Sequence, residues 1–241
     1  MTDTIRLAKR VAQQIACSRN DAEQYIEGGW VTVDGVVTEE AGARIGAAQS
    51  VALLPEAVLG PIEPVTILYH KPAGARADLA LETGQDCIGM ATLAADDRSG
   101  LRFLQRHARA LQLTNPLEDT ASGLLVLTQD WRIVRKLVDD ASRIEQEFVV
   151  EVEGTLSPEG LALLQHGVSW NGKPLTSIKV SWQSEQRLRF ALKNAQRGMI
   201  AHLCEHAGLR VVSCKRIRIG RIPLAALPVG QWRYLLGYER F

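Results

Sequence analysis

The spacing of apolar residues in the first part of the chain predicts a pair of helices. Leu7, Val11 and Ile15 recur at helical spacing with polar residues between them, the pattern of an amphipathic helix with one buried face. Ser18 is a residue type that caps helix starts, and Asp21 follows it at the acidic position of a capping box. The pattern therefore predicts a helical hairpin at the start of the chain.

A strand pair and a proline-rich linker complete this first region. Residues 30–37 alternate in strand fashion around an Asp-Gly turn, which is typical of a tight hairpin. Residues 55–64 hold three prolines and a glycine, the composition of a connecting segment. We therefore expect one domain over residues 1–58 and a second over residues 64–241.

The rest of the chain is dominated by strand patterns. Residues 65–69 and 122–128 are short apolar runs typical of buried strands, whereas apolar and polar residues alternate around Phe148, in residues 178–182 and in residues 188–192. Half-buried strands of this kind predict an antiparallel meander. Because regular strand-helix-strand repeats are missing, the expected class is α+β, with a small αα-hairpin domain followed by a mainly antiparallel sheet.

The distribution of charge changes what the total charge suggests. The formal net charge is only +1, and near neutrality argues against a nucleic-acid binder. Residues 187–221, however, hold nine basic residues and one acidic residue, a local charge of +8 against −7 elsewhere. Arg187 with Arg189, and Arg216 with Arg218, stand two apart in strands and project from one face. This pattern favours a polyanion-binding strip; the alternative is a solvated strand face with acidic partners elsewhere.

Cysteine spacing and hydropathy indicate neither a metal site nor a membrane segment. The four cysteines are scattered without a Cys-x-x-Cys pair, which fits a reducing cytoplasm. His202, Cys204 and His206 lie in a helical pattern, where ligands at i, i+2 and i+4 point to different sides, so no metal is expected. No run reaches the roughly 18 apolar residues of a membrane span. The start of the chain also lacks the apolar core of a signal peptide.

The first region resembles the S4-like RNA-binding domain. The matching pattern is Ser18-Arg19-x-x-Ala22-Glu23-x-x-Ile26-x-x-Gly29-x-Val31-x-Val33-x-Gly35. In that family two short helices and a hairpin present basic side chains to structured RNA. The resemblance implies RNA contacts from Arg6, Lys9, Arg10 and Arg19.

The second region is similar to the bacterial ribosomal-RNA pseudouridine synthases that carry an S4-like domain. The matching segments are Tyr69-His70-Lys71-Pro72-x-Gly74, Ser122-Gly-Leu-Leu-Val-Leu-Thr128, Leu203-Cys204-Glu205-His206-x-Gly208, Lys215-Arg216-Ile-Arg218-Ile-Gly220 and Leu227-Pro-Val-Gly-Gln-Trp-Arg233-x-Leu235. The resemblance implies isomerisation of a uridine flipped out of the RNA stack, without a cofactor. Ribosomal RNA is the expected substrate, and transfer RNA is the alternative. The expected RNA-binding residues here are Lys71, Arg187, Arg189, Lys215, Arg216 and Arg218. A monomer is the default expectation.

The chain departs from the family where the chemistry takes place. The family's Gly-Arg-Leu-Asp loop, which carries the essential carboxylate, falls on Asn115-Pro116-Leu117-Glu118. Glu118 keeps the charge with one more methylene, and a misplacement of about an ångström can cost on the order of a hundredfold in rate. Asp119 is the second candidate carboxylate, and Phe148 stands where the family's tyrosine packs on the base. The family's basic Asn-Arg-Gln-Ile-Arg-Arg-Met segment reads Arg197-Gly-Met-Ile-Ala-His-Leu203.

Two hypotheses follow from these departures. The protein is an active pseudouridine synthase that uses Glu118 or Asp119, or it is a non-catalytic RNA-binding relative that acts in ribosome assembly or RNA folding. The length of the matching pattern argues against an unrelated domain with accidental matches. Because an altered site on a shared fold need not keep the same function, the choice between the two depends on the geometry around Glu118.

Overall fold

The chain divides into two compact units in a computed structural model, which describes residues 4–60, 63–76, 87–166, 168–175 and 178–241. The first unit comprises Met1–Pro64 and Arg102–Ala110, and the second comprises Val65–Leu101 and Leu111–Phe241. The change of unit near Pro64 lies at the end of the proline-rich linker. The return of residues 102–110 to the first unit has no counterpart in the linker composition.

The first unit combines two helices with short strands. Ser18 accepts a hydrogen bond from the Asp21 backbone N–H at 3.1 Å, and Asp21 accepts one from the Ser18 N–H at 3.2 Å, so the predicted capping box is confirmed. The Asp-Gly turn predicted in residues 30–37 is confirmed by positive φ angles of 51° and 80°. The elements are β1 (Thr4–Arg6), α1 (Leu7–Ile15), α2 (Arg19–Glu27), β2 (Val31–Val33), β3 (Val36–Val37), β4 (Arg44–Gly46) and β5 (Val51–Leu53).

The core of the first unit follows from the helical pattern. Leu7 and Val11 of α1 are buried against Ile26 of α2, together with Val31 and Ile45 from the strands. Strands β3, β2 and β5 form an antiparallel sheet in that order, and β1 pairs with β4. The apolar face predicted for α1 is therefore the face that builds this core.

The second unit is built on a mixed, mainly antiparallel sheet of nine strands within the described residues. The strands are β6 (Thr66–Lys71), β7 (Gln112–Thr114), β8 (Ser122–Thr128), β9 (Glu145–Glu153), β12 (Lys179–Ser184), β13 (Arg187–Lys193), β14 (Arg210–Ile219), β15 (Ile222–Pro223) and β16 (Trp232–Tyr234). The main path of the sheet runs β12-β13-β9-β14-β8-β6-β16, with β7 paired to β8 and β15 paired to β14. The antiparallel meander predicted from alternation is confirmed by β12, β13 and β9.

Helices and one separate hairpin complete the second unit. The helices are α3 (Trp131–Val138), α4 (Pro158–His166) and α5 (Met199–His206), and the hairpin consists of β10 (Ser169–Trp170) and β11 (Lys173–Pro174). Single 3-10 turns occur at Met90–Thr92 and Ala141–Arg143 in this unit and at Gln105–Ala108 in the first. Within the described ranges, no helix has the length and apolar character needed to cross a membrane. Helices and a mainly antiparallel sheet confirm the α+β class.

Strands β8 and β14 run parallel and approach closely at a glycine. In this pair Gly123 lies opposite Arg216 and has a φ of 113°. A Cβ atom at Gly123 would lie 2.3 Å from the Arg216 carbonyl oxygen. The next residues of β8, including Leu124 and Val126, are fully buried in the core with Leu137 of α3. The absence of a side chain at Gly123 therefore allows β8 to lie against β14 at the point where the strand begins.

Candidate active site

The loop between β7 and β8 carries the two candidate carboxylates. It begins at Asn115, which has a positive φ of 47° and donates from Nδ2 to the Leu137 carbonyl of α3 at 3.1 Å. Glu118 and Asp119 follow in the same loop and are both partly exposed. Four elements of the second unit converge on this loop, and their contacts determine what each carboxylate can do.

Glu118 is held at the start of α5. Its Oε1 atom accepts a hydrogen bond of 2.7 Å from the backbone N–H of Gly198, the residue that precedes the helix. Gly198 has a φ of 81°, a conformation that glycine adopts readily. The amino end of a helix is an environment that suits a negative charge. The loop therefore presents the Glu118 carboxylate in a defined position rather than on a mobile side chain.

Asp119 lies between two guanidinium groups. Its Oδ1 atom is 3.2 Å from an Nη atom of Arg197, and its Oδ2 atom is 3.7 Å from Nε of Arg76. The Asp119 side chain is 44% exposed, so each ion pair contributes little to stability. Arg197, which lies directly before Gly198, therefore stands at the site and faces Asp119.

Lys71 supports the loop from below and is not an RNA contact. The residue is completely buried at the end of β6. Its Nζ atom donates to the carbonyl oxygens of Asp119 at 2.9 Å, Ala121 at 2.7 Å and Pro72 at 3.1 Å. A buried ammonium needs such acceptors because an unsatisfied charge is costly. The prediction that Lys71 binds RNA is therefore wrong, since its charge is used to hold the backbone around Asp119.

Arg216 supports the other end of the loop and is also buried. Its guanidinium donates to the Asn115 carbonyl at 2.8 Å, the Leu124 carbonyl at 2.8 Å and Oε1 of Gln146 at 3.0 Å. Burial lowers the pKa of Arg216 to about 9. The prediction that Arg216 binds RNA is wrong, because a side chain that is 1% exposed cannot reach a phosphate. Its position instead links β14 to the first residue of the carboxylate loop.

Phe148 does not offer a stacking face in this structure. The residue is 4% exposed in the middle of β9, and the Arg216 guanidinium carbon lies 6.0 Å from the centre of its ring. Phe190 of β13 pairs with it across the sheet and is fully buried. The prediction that Phe148 packs on the substrate base is therefore not supported by the structure, because the inward side of β9 is filled.

The expected basic strip is largely neutralised by glutamates of the neighbouring strand β9. Arg218 lies 2.6 Å from both Glu145 and Glu147, and Arg189 pairs with Glu147 as well. The hydrogen bond from Arg218, reinforced by the one from Arg189, lowers the pKa of Glu147 to about 2. Arg218 and Arg189 are therefore partners of β9, and most of their charge is not available to a polyanion.

The same pairing extends toward the ends of the strip. Arg187 approaches Glu151 at 4.0 Å, and Arg210 forms an ion pair with Glu153. Lys215 is half-buried and has no ion pair among the described residues. The acidic partners lie outside residues 187–221, so the local charge of +8 overstates the positive field of this surface. The prediction of a polyanion-binding strip is therefore corrected. The surface is instead the alternative, a strand face whose acidic partners lie elsewhere in the chain.

The basic residues of the first unit do come together. Arg6, Lys9 and Arg19 line one groove of about 620 Å³ between β1 and the two helices, and none of the described residues that line it is acidic. Arg10 is not part of the lining. Arg19 also pairs with Glu23 at 2.8 Å on the exposed face of α2. Three of the four residues predicted to bind RNA in this unit therefore share one surface.

A tryptophan beside the carboxylate loop was not predicted from the sequence. The Nε1 atom of Trp170 donates to Oε1 of Gln196 at 2.9 Å, and its ring meets His202 edge to face at 5.1 Å. A Cβ atom at Gly198 would lie 3.3 Å from this ring. The Asn-Gly turn that follows Trp170 is the sequence signal for its hairpin.

The histidines of α5 make local contacts instead of a metal site. His202 uses Nε2 toward the Ser169 carbonyl at 3.0 Å, and His206 uses Nδ1 toward the His202 carbonyl at 2.9 Å. Cys204 is buried, and burial raises its thiol pKa to about 12. Within the part of the chain that the structure describes, no three His, Cys, Asp or Glu side chains are grouped to hold a metal ion.

Comparison with known proteins finds relatives that are named RNA pseudouridine synthases. No protein-family model matches the chain. It is 26% identical to the dual-specificity RNA pseudouridine synthase RluF of Salmonella typhi over 99% of this chain and 78% of the relative. It is also 26% identical to an uncharacterized RNA pseudouridine synthase of Aquifex aeolicus, over 98% of this chain and 94% of the relative.

Two further similarities extend the comparison. The ribosomal large subunit pseudouridine synthase B of Bacillus subtilis is 25% identical over 97% of this chain and 93% of its own length. The crystal structure of a pseudouridylate synthase matches with a TM-score of 0.58 at 18% identity and covers 96% of both chains. The chain is thus similar to proteins named RNA pseudouridine synthases over nearly its whole length, and it shares the fold of a pseudouridylate synthase.

Proposed function

We propose that the protein is an RNA pseudouridine synthase that isomerises a uridine in structured RNA. Its proposed substrate is ribosomal RNA, and transfer RNA is the alternative. The observation that carries the proposal is the fixed position of the Glu118 carboxylate, which the Gly198 N–H holds at 2.7 Å. The names of the relatives support the choice of reaction and of ribosomal RNA. We also propose that the protein acts in the cytoplasm and that it is a monomer.

The proposed reaction rearranges the substrate without adding or removing atoms. The target uridine leaves the base stack, which gives access to its glycosidic bond. The bond between C1′ and N1 breaks, and a bond between C1′ and C5 forms. C5 loses its proton, and N1 gains one. The balance needs no oxidant, reductant or cofactor. The carboxylate that the family resemblance implies would assist these bond changes, and its preorganised position would lower the cost of reaching the transition state.

Glu118 suits this role better than its neighbour. One oxygen of Glu118 accepts from Gly198, and no hydrogen bond or ion pair within the described residues engages the other. Both oxygens of Asp119, in contrast, face the guanidinium groups of Arg197 and Arg76. We therefore assign the reacting carboxylate to Glu118 and give Asp119 the role of holding the two arginines at the rim of the site.

The test is to incubate the protein with deproteinised ribosomal RNA and with total transfer RNA and to map pseudouridine. We expect new sites with the wild-type chain and none with Glu118→Gln, which keeps the shape of the side chain but removes its charge. Asp119→Asn should keep measurable turnover and serves as the matched control. Activity in Glu118→Gln would refute the assignment. If no pseudouridine forms with protein and RNA in equal molar amounts, the enzymatic function is refuted. That result would favour a non-catalytic RNA-binding relative.

A further inference from the structure

A second groove in the larger unit lies beside the amino end of α5. Its volume is about 740 Å³. The β10–β11 hairpin forms one side, and the end of β13 with the turn that follows it forms the other. The lining residues that carry the argument are Trp170, Asn171, Lys173, Lys193, Asn194 and Gln196. All but Trp170 are exposed, and apolar side chains such as Leu175 and Met199 complete the lining. The groove therefore combines polar and charged groups with one aromatic ring and an apolar floor.

The charges of this groove are less neutralised than those of the basic strip. Lys173 and Lys193 have no ion pairs among the described residues. Lys179 pairs with Glu145 at 3.2 Å, and Glu145 also pairs with Arg218 at 2.6 Å. Glu145 is the one acidic residue of the lining. The groove therefore keeps two lysines whose charges are open to an anionic ligand.

The combination of lysines, side-chain amides and a tryptophan is the chemistry that binds single-stranded RNA. Lysines neutralise phosphates along the strand, and an aromatic ring stacks on a base whatever its identity. Apolar side chains such as Pro174, Leu175 and Met199 also line the groove, and such a surface can pack against the faces of bases. Because the groove keeps two lysines without ion pairs, RNA is the occupant that its charge favours.

The position of Trp170 connects the groove to the carboxylate. The ring lies 3.3 Å from where a Cβ atom would stand on Gly198, and the N–H of the same glycine holds Glu118. Met199 and Gln196, the neighbours of residues 197–198, line the groove. Gly198 thus lies between Glu118 of the candidate site and Trp170 of the groove.

We propose that this groove binds the RNA strand next to the target uridine, with Lys173 and Lys193 on its phosphates and Trp170 stacked on a neighbouring base. The placement of this strand next to the target uridine rests on the proposed function of Glu118. The binding of RNA in the groove does not rest on it. With Phe148 buried, Trp170 is the partly exposed aromatic residue that borders this part of the site.

The experiment measures binding of a short fluorescent oligouridylate to the full chain over a series of salt concentrations. For Lys173→Gln with Lys193→Gln, we expect the slope of log affinity against log salt to fall by about 1.4, or about 0.7 for each single-strand phosphate contact. Lys136→Gln, on the exposed face of α3, is the control and should leave the slope unchanged. An unchanged slope in the double variant would overturn the assignment of phosphates to this groove.

The aromatic contact is tested with the same probe. Trp170→Ala should weaken binding about five- to a hundredfold, the range measured for loss of one base-stacking residue, whereas Trp170→Phe should retain most of the affinity. Trp182→Ala removes another partly exposed tryptophan, on β12, and should bind as the wild type does. Binding of Trp170→Ala within twofold of wild type, with an unchanged thermal unfolding midpoint, would overturn the stacking proposal.

Pseudouridine mapping separates this proposal from the proposed function. If the wild-type chain forms no pseudouridine but Trp170→Ala loses the oligonucleotide, the groove binds RNA and the enzyme assignment fails. If the wild-type chain is active and the variants of Trp170, Lys173 and Lys193 bind normally, the enzyme assignment stands and the groove proposal is overturned. Retained binding and turnover in Trp170→Phe would show that the ring, rather than a general loss of packing, accounts for the effect.

Discussion

Replacing Gly123 with alanine should destabilise the second unit much more than the same replacement at another glycine with positive φ. Gly123 is the second residue of β8 and faces Arg216 of β14 in the parallel pair of the sheet. Its φ of 113° already disfavours a side chain. The added methyl group would also point directly at the backbone of β14, which is fixed by its antiparallel pairing with β9.

The size of the effect follows from the distances. The new Cβ atom would lie 2.3 Å from the carbonyl oxygen and 2.5 Å from the nitrogen of Arg216, where real Cβ atoms keep at least 3.0 Å. Forcing a methyl group into such a space costs about 1–3 kcal/mol, and the backbone strain adds about 1–2 kcal/mol. The matched control is Gly230→Ala, where φ is 77° and no atom lies within 4 Å of the new group. Only the strain applies to that control.

Thermal and urea unfolding of the two variants measure this difference. At about 2–4 °C per kcal/mol for a chain of this size, Gly123→Ala should lower the unfolding midpoint by roughly 4–20 °C and Gly230→Ala by roughly 2–8 °C. Within one experiment the first shift should be at least about 1.5 times the second, because only Gly123 meets the β14 backbone. Equal shifts would refute the reasoning, since they would show that β8 and β14 separate at no cost.

Three further predictions address the loop support, the strand charges and the first unit. Arg216→Met leaves three oxygens without their buried donor, so urea unfolding should show a loss of about 2–5 kcal/mol; a neutral outcome would mean that the guanidinium does not hold the loop. Because Arg218 lowers the pKa of Glu147 from 4.5 to about 2, this carboxylate stabilises the fold above about pH 4.5, and the stabilisation is lost as the pH falls toward 2. Glu147→Gln should therefore flatten stability against pH in that interval, and an unchanged curve would contradict the pairing. Arg6→Gln with Lys9→Gln should lower the salt slope of ribosomal-RNA binding by about 1.4–1.8, and an unaltered slope would exclude their groove from the RNA surface.

Features set by neighbouring residues could be predicted from the sequence. The capping box of α2 needs only Ser18 and Asp21, which are three residues apart. The turn between β2 and β3 needs only an Asp-Gly pair, and the meander of β12, β13 and β9 follows from strands that alternate in polarity. In each case the interaction that determines the structure lies within a few residues or repeats along one strand.

Features set by distant residues could not be predicted in the same way. Lys71 and the Asp119 carbonyl are 48 positions apart, and Arg216 and the Asn115 carbonyl are 101 apart. Alternation places a side chain on one face of a strand, but it does not reveal whether that face meets solvent or a loop. The charge strip failed for a related reason: Glu147 lies in β9, which becomes a neighbour of Arg189 only through the register of the sheet.

The return of residues 102–110 to the first unit has a consequence for folding during synthesis. Arg102 lies over the Trp30 ring at 5.8 Å, and the Gln105 N–H donates to Glu39 at 2.6 Å, so the first unit is complete only when this segment has left the ribosome. At about 5–20 residues per second, the 46 residues beyond Pro64 take roughly 2–9 s. During that interval β6, whose residues are all buried in the finished sheet, has emerged without its partner β8. The order of synthesis therefore leaves the apolar strand β6 unpaired while the first unit is still incomplete.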